Sequence, residues 1–79
     1  MENTETVEKK KLYKTAVMAE DAVRLDPIVG DYFPVANKGE HVSVEYAGHD
    51  LFMGHYYDVE TIDGKCFTAF EEELTEFVL

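Results

Sequence analysis

The run His41-Val42-Ser43-Val44-Glu45-Tyr46 alternates apolar and polar residues without a break, and no other segment constrains the fold as much. A period of two puts Val42, Val44 and Tyr46 on one face of a strand and His41, Ser43 and Glu45 on the other. Such a strand must be paired along its edges and covered on its apolar face, so the chain has to build a sheet around it. With 79 residues there is room for one domain. A chain this short buries only about 60% of the surface its unfolded form exposes, which leaves little interior for a deep catalytic cavity. Hydrophobic residues make up 46% of the chain, against wholesale disorder, and aromatic rings make up 13%, a large apolar area for each residue ordered.

Further elements follow on either side. Residues 1–10 read as a flexible N-terminal tail and residues 11–79 as the domain, since Met1 to Glu8 offer only Val7 as an apolar side chain after the initiator. Lys11 to Met18 is expected to be a first strand, with Leu12, Ala16 and Met18 on one face and Tyr13 and Val17 on the other. Ala19 to Leu25 fits a short helix ended by Asp26-Pro27, or a long acidic loop. Ile28 to Val35 contains Pro34, which confines it to an edge strand or an extended loop. Asn37-Lys38-Gly39-Glu40 is a turn. Gly48 and Gly54 bracket a loop holding Leu51, Phe52 and Met53.

Tyr56 to Phe70 reads as a hairpin about Asp63-Gly64. A three-residue turn with Gly64 left-handed pairs Val59 with Phe67 and Tyr57 with Ala69. That register gathers Asp58, Glu60, Cys66 and Thr68 on the outer face, whereas a one-residue slip would mix the faces. At the C-terminus Phe70, Leu74, Phe77 and Val78 fall at helical spacing behind Glu71, Glu72 and Glu73. A short helical turn followed by a final strand fits the same residues.

The charge is lopsided: seventeen acidic residues against seven basic ones, for a net −10. Four of the seven cations are Lys9, Lys10, Lys11 and Lys14. From Thr15 onward fourteen carboxylates face only Arg24, Lys38 and Lys65, a net −11. Nucleic acid and anionic membranes need clustered cations, so direct contact with either is not expected. The partner expected is a protein with a basic surface, although an acidic surface also serves solubility alone. One cysteine, Cys66, permits no internal disulfide and suits a reducing, cytoplasmic setting. The first residues lack the layout of a signal peptide, and no apolar run approaches a membrane helix.

The succession Lys38-Gly39-Glu40-x-Val42-x-Val44, Tyr57-x-Val59-Glu60, Asp63-Gly64 and Glu72-Glu73-Leu74 resembles the small SH3-like barrels, including the Tudor and KOW-type members. The resemblance is to the fold: it covers residues 38 to 79 well and the first half loosely. It implies a mainly β domain, a small five-stranded barrel with a short helical turn near the C-terminus. There is no tryptophan, and the paired tyrosines do not occupy the loop that SH3 domains use for proline-rich ligands. In general type the chain is similar to small acidic phage and mobile-element proteins that inhibit host nucleases and DNA-binding proteins.

Catalytic constellations are weak. His41, His49 and His55 with Asp50 and Asp58 match no zinc spacing, and Cys66 has no second thiol nearby. Nothing predicts a base and an oxyanion site beside Cys66. No glycine-rich phosphate loop is present, and no cofactor or metal is expected. The reading is therefore a non-enzymatic interaction domain, an acidic inhibitor or mimic occupying a basic nucleic-acid-binding surface of a partner protein. Its acidic face is expected from Glu20, Asp21, Asp58, Glu60, Glu71, Glu72, Glu73 and Glu76. Leu51, Phe52 and Met53 are expected to begin the next strand in the core, or else to form an exposed anchor. Tyr56 and Tyr57 support the alternative, a reader module that holds a peptide or a modified side chain.

Overall fold

The computed structural model describes the backbone of residues 4–79 and the side chains from Glu8 onward; Met1 to Asn3, part of the expected tail, lie outside the described residues. The chain runs α1 (Thr4–Leu12), β1 (Thr15–Met18), β2 (Ala22–Asp26), β3 (Asp31–Ala36), β4 (His41–Asp50), β5 (Gly54–Thr61), β6 (Cys66–Phe70), a 3-10 turn (Glu71–Glu73) and β7 (Leu74–Val78). Five strands form one antiparallel sheet in the order β6-β5-β4-β1-β7, and β2 and β3 form a separate two-stranded ribbon. The fold is mainly β, as expected. The five-stranded sheet is open, with β6 and β7 at its edges.

The central hairpins follow the sequence pattern. Val44 lies opposite Val59 and Tyr46 opposite Tyr57, which assembles one apolar face from β4 and β5. In β5 and β6, Val59 pairs with Phe67 and Tyr57 with Ala69, the register expected of the three-residue turn. Gly64 adopts φ 91°, a left-handed conformation that glycine reaches without a Cβ penalty. Its amide donates to the Thr61 carbonyl at 3.0 Å and closes the turn. Thr61, buried, donates its hydroxyl to the Asp63 carboxylate and accepts the Lys65 amide at 3.0 Å. The Thr61 hydroxyl holds the Asp63 carboxyl below the usual aspartate range.

The core gathers Ala16, Met18, Val42, Val44, Val59 and Leu74 around a fully enclosed Tyr57. Aromatic rings extend it: Phe77 lies 4.7 Å from Tyr13 and 5.2 Å from Tyr57, and Tyr46 meets Tyr57 edge-on at 5.5 Å. These pairs supply contact area that the small aliphatic set cannot.

Three expectations need correction, and the alternative left open at the C-terminus is decided. The tail expected over residues 1–10 is helical from Thr4, because Glu and Lys favour the helix and the lysines of its last turn face the negative end of its dipole. The first strand consequently begins at Thr15, not Lys11, and Leu12 stays exposed. The helix expected over Ala19 to Leu25 is a strand instead. Ala22 is buried and β2 pairs with β3 from Ala22 to Asp26, so tertiary pairing overrides local propensity. The C-terminal helical spacing gives only the 3-10 turn, and the strand alternative is the one adopted: Leu74 lies opposite Met18 in β1. Pro34 does sit in an edge strand, paired with Val23 in the ribbon.

Candidate functional site

The outer face of β4, β5 and β6 is a consequence of register. Ser43 opposes Glu60, and Glu45 opposes Asp58. Asp58 in turn opposes Thr68, and Glu60 opposes Cys66. The result is a two-by-three grid whose polar side chains line an open trough of about 420 Å³. Glu45, Asp58 and Glu60 bring three carboxylates to it, all on exposed residues. Among the described residues no ion pair reaches any of the three. Carboxylates directly opposite across two strands lie about 5 Å apart at Cβ and repel. Asp58 and Glu60, alternate residues of one strand, stand about 7 Å apart.

The trough continues into an aromatic end. Tyr56 opposes Phe70 across β5 and β6, and the rings meet edge-on at 5.8 Å. Tyr56 also lies opposite Gly48 beyond a bulge at Ala47. A Cβ at residue 48 would fall 2.6 Å from the Tyr56 hydroxyl oxygen, so the absent side chain is what lets the ring lie there. Tyr56 is half-buried, whereas Tyr57 is fully enclosed and presents no surface to a partner.

The expected acidic residues do not gather in one place. Asp58 and Glu60 are in the trough. Glu20 and Asp21 lie in the β1–β2 connection, where Asp21 accepts the Lys38 amide at 2.8 Å. Glu71 pairs with Lys10 at 2.8 Å, and Glu73 lies 3.5 Å from Arg24 while accepting the Phe70 amide at 3.1 Å. Glu72 is exposed on the 3-10 turn. Glu76 occupies a β-bulge in β7 at φ 48°. Glu45 was not among the expected residues. Its signal lay in the alternation that already turned it outward with Ser43; pairing β4 with the following strand would have set it against Asp58.

Arg24 is fixed on three sides. Its guanidinium donates to the Thr68 carbonyl at 2.5 Å and sits 5.1 Å above the Phe67 ring, beside Glu73. It ties the β2–β3 ribbon to the edge strand β6 at the rim of the trough, and its ion-pair partner is Glu73, not Glu45, Asp58 or Glu60.

Leu51, Phe52 and Met53 form the β4–β5 turn instead of starting the next strand in the core. Leu51 is 84% and Phe52 90% exposed. Asp50 accepts the amides of Phe52 at 2.8 Å and Met53 at 2.9 Å, and these bonds lower its carboxyl below the usual aspartate range. The ribbon turn uses the same device: Asp26 accepts the amides of Ile28 at 2.9 Å and Val29 at 3.3 Å. Ile28 is 94% exposed and Val29 74%. Two hydrogen-bonded turns thus hold apolar side chains out in water.

Among the described residues, no group of three or more His, Cys, Asp or Glu side chains is arranged to hold a metal ion. No helix among the described residues is long and apolar enough to cross a membrane. His55 Nδ1 and the Tyr46 hydroxyl are hydrogen-bonded at 2.8 Å, and His49 stacks on His55 at 4.6 Å. Comparison with protein-family models, with curated proteins and with solved structures gave no match.

Proposed function

We propose that this chain is a binding domain, not an enzyme, and that its trough receives a basic, extended segment of a partner protein. The observation that carries this reading is the facing pair Glu45 and Asp58, with Glu60 beside them, in a concave surface where no ion pair among the described residues reaches any of the three. Facing carboxylates cost the free domain a few tenths of a kcal/mol to about 1 kcal/mol, and a bound cation relieves that repulsion. Their spacing along β5, about 7 Å, matches the repeat of cations at alternate positions of an extended segment. Tyr56 adds a π face at one end of the row, suited to the stem or head of a lysine or arginine.

Surfaces that hold nucleic-acid phosphates carry such clustered lysines and arginines, so the reading extends to inhibition by occupying a nucleic-acid-binding surface. The mainly β fold, the strand order and the 3-10 turn before the last strand support an SH3-like relationship. The alternative reader function keeps Tyr56 as its surface aromatic, since Tyr57 is enclosed.

The test is binding of a fluorescent lysine-rich peptide by anisotropy, at low and at high salt. The double substitution Asp58→Asn, Glu60→Gln is expected to weaken binding about tenfold or more at low salt, and salt is expected to weaken the wild type in the same direction. Binding that ignores both salt and the double substitution would contradict the proposal. Loss of binding on Tyr56→Ala, with full retention in the double variant, would favour the reader function.

A further inference from the structure

Helix α1 is basic and polar, and it packs against β4. Of its described side chains, Glu8, Lys9, Lys11 and Leu12 are exposed; only Lys10 is not. The Lys10 side chain is 16% exposed, and its ammonium group donates to Glu71 Oε2 at 2.8 Å. Leu12, the one apolar side chain described on the helix, is 61% exposed and offers no anchor. Among the described side chains of α1, the one that docks is a lysine whose stem is covered and whose head meets a carboxylate.

The receiving end is built from core elements. Glu71 opens the 3-10 turn, which packs against β5, the strand of Tyr57. The Tyr57 hydroxyl is fully enclosed and has no hydrogen-bond partner among the described residues. An unpaired O–H in this position is unusual, since enclosed polar groups are nearly always paired. Charge points the same way: Lys9, Lys10, Lys11 and Lys14 precede a body that carries −11 from Thr15 onward. The chain thus brings its own basic segment to an acidic body.

We infer that the seat of Lys10 on Glu71 is a docking position for a lysine of the partner, and that α1 is a built-in competitor for it. This rests on the proposed reading of the acidic body as a receiver of basic segments, but it concerns a different carboxylate. A partner lysine enters as Lys10 leaves, so one ion pair replaces another and α1 is released. Binding is weakened by the fraction of molecules in which the seat is already taken.

The test uses the full chain and a fluorescent lysine-rich peptide. Lys10→Ala is expected to bind the peptide roughly threefold to tenfold more tightly than the wild type. Lys10→Arg keeps the cation and is expected to bind as the wild type does. In the double variant Lys10→Ala, Glu71→Gln the gain is expected to vanish. Equal or weaker binding by a folded Lys10→Ala, or a gain that survives Glu71→Gln, would overturn the inference. Amide exchange over residues 4–12 of the wild type provides a measurement free of any folding defect: saturating peptide is expected to speed it, and unchanged exchange with the peptide bound would overturn the inference. The trough variant Asp58→Asn, Glu60→Gln separates the two readings. If it abolishes binding while Lys10 and Glu71 have no effect, the seat is refuted and the trough stands. If it binds normally while the Lys10 effect is present, the seat stands and the trough is refuted. No binding by any form refutes both.

Discussion

Glu45 and Asp58 face one another across β4 and β5, and no ion pair among the described residues neutralises either. Directly opposed like charges weaken a sheet by a few tenths of a kcal/mol to about 1 kcal/mol. Asp58→Asn is therefore expected to raise the midpoint of urea unfolding without changing the slope, while weakening the capture of lysine-rich peptide. A substitution that stabilises the fold and impairs binding marks a site held under repulsion for a ligand. A drop in midpoint would remove that interpretation.

Gly48 and Tyr56 form a cross-strand pair in which the ring fills the space a Cβ would take. The Tyr56 hydroxyl oxygen lies 2.6 Å and Cζ 2.8 Å from that position. Gly48→Ala is expected to destabilise the domain by about 1–3 kcal/mol, the cost of overpacking. Shortening the ring to Tyr56→Ala in the same chain is expected to recover part of the loss, which a double-mutant cycle in urea measures. Purely additive losses would contradict the contact.

Glu76 holds a left-handed backbone, φ 48°, at the bulge where β7 slips against β1. For a residue with a Cβ this conformation costs about 1–2 kcal/mol, and glycine returns part of that gain through its greater freedom when unfolded. Glu76→Gly is expected to stabilise the chain by roughly 0.5–1 kcal/mol, read as a higher Tm. An unchanged or lower Tm would mean that the Glu76 side chain contributes more than its exposure suggests.

Burial pushes the Tyr57 phenol well above its ordinary value of 10.0, with Glu71 adding to the effect. The native state thus favours the neutral ring, while the unfolded chain ionises it above about pH 10. This contribution to stability is complete below that pH and is lost as pH rises beyond it. Tyr57→Phe removes the unpaired hydroxyl and is expected to be neutral or stabilising by about 1 kcal/mol at pH 7. It is also expected to flatten the alkaline decline in urea unfolding above about pH 10. An undiminished decline in Tyr57→Phe would assign the alkaline loss to another group.

Particular residues show how far the sequence could be read. The Asp63-Gly64 turn carried its register because only one alignment keeps Val59, Phe67, Tyr57 and Ala69 on a single face, and the structure has that alignment. The outer grouping of Asp58, Glu60, Cys66 and Thr68 followed from it. Helix α1 was not legible, because Val7 and Leu12 make no apolar stripe in the sequence, and the contacts that place it, packing on β4 and the ion pair of Lys10 with Glu71, are long-range. Strand β2 was obscured by Ala, Glu and Leu, whose helical preference yields to pairing with β3. Glu71 and Glu73 looked like free carboxylates in the sequence, yet distant cations claim both. Exposure of Leu51 and Phe52 depended on Asp50 closing the turn, a local bond with no hydrophobic pattern to announce it.

Cys66 lies on the trough floor plan opposite Glu60 and is exposed, the one thiol of the chain. It reports on the trough without any substitution. The most direct measurement is the rate of Cys66 alkylation by a neutral maleimide, with and without saturating lysine-rich peptide. A peptide seated along Glu45, Asp58 and Glu60 is expected to slow the reaction several-fold, with protection lost as salt displaces it. Full reactivity at Cys66 while the peptide is demonstrably bound would place the ligand elsewhere and contradict the acidic trough as the binding site.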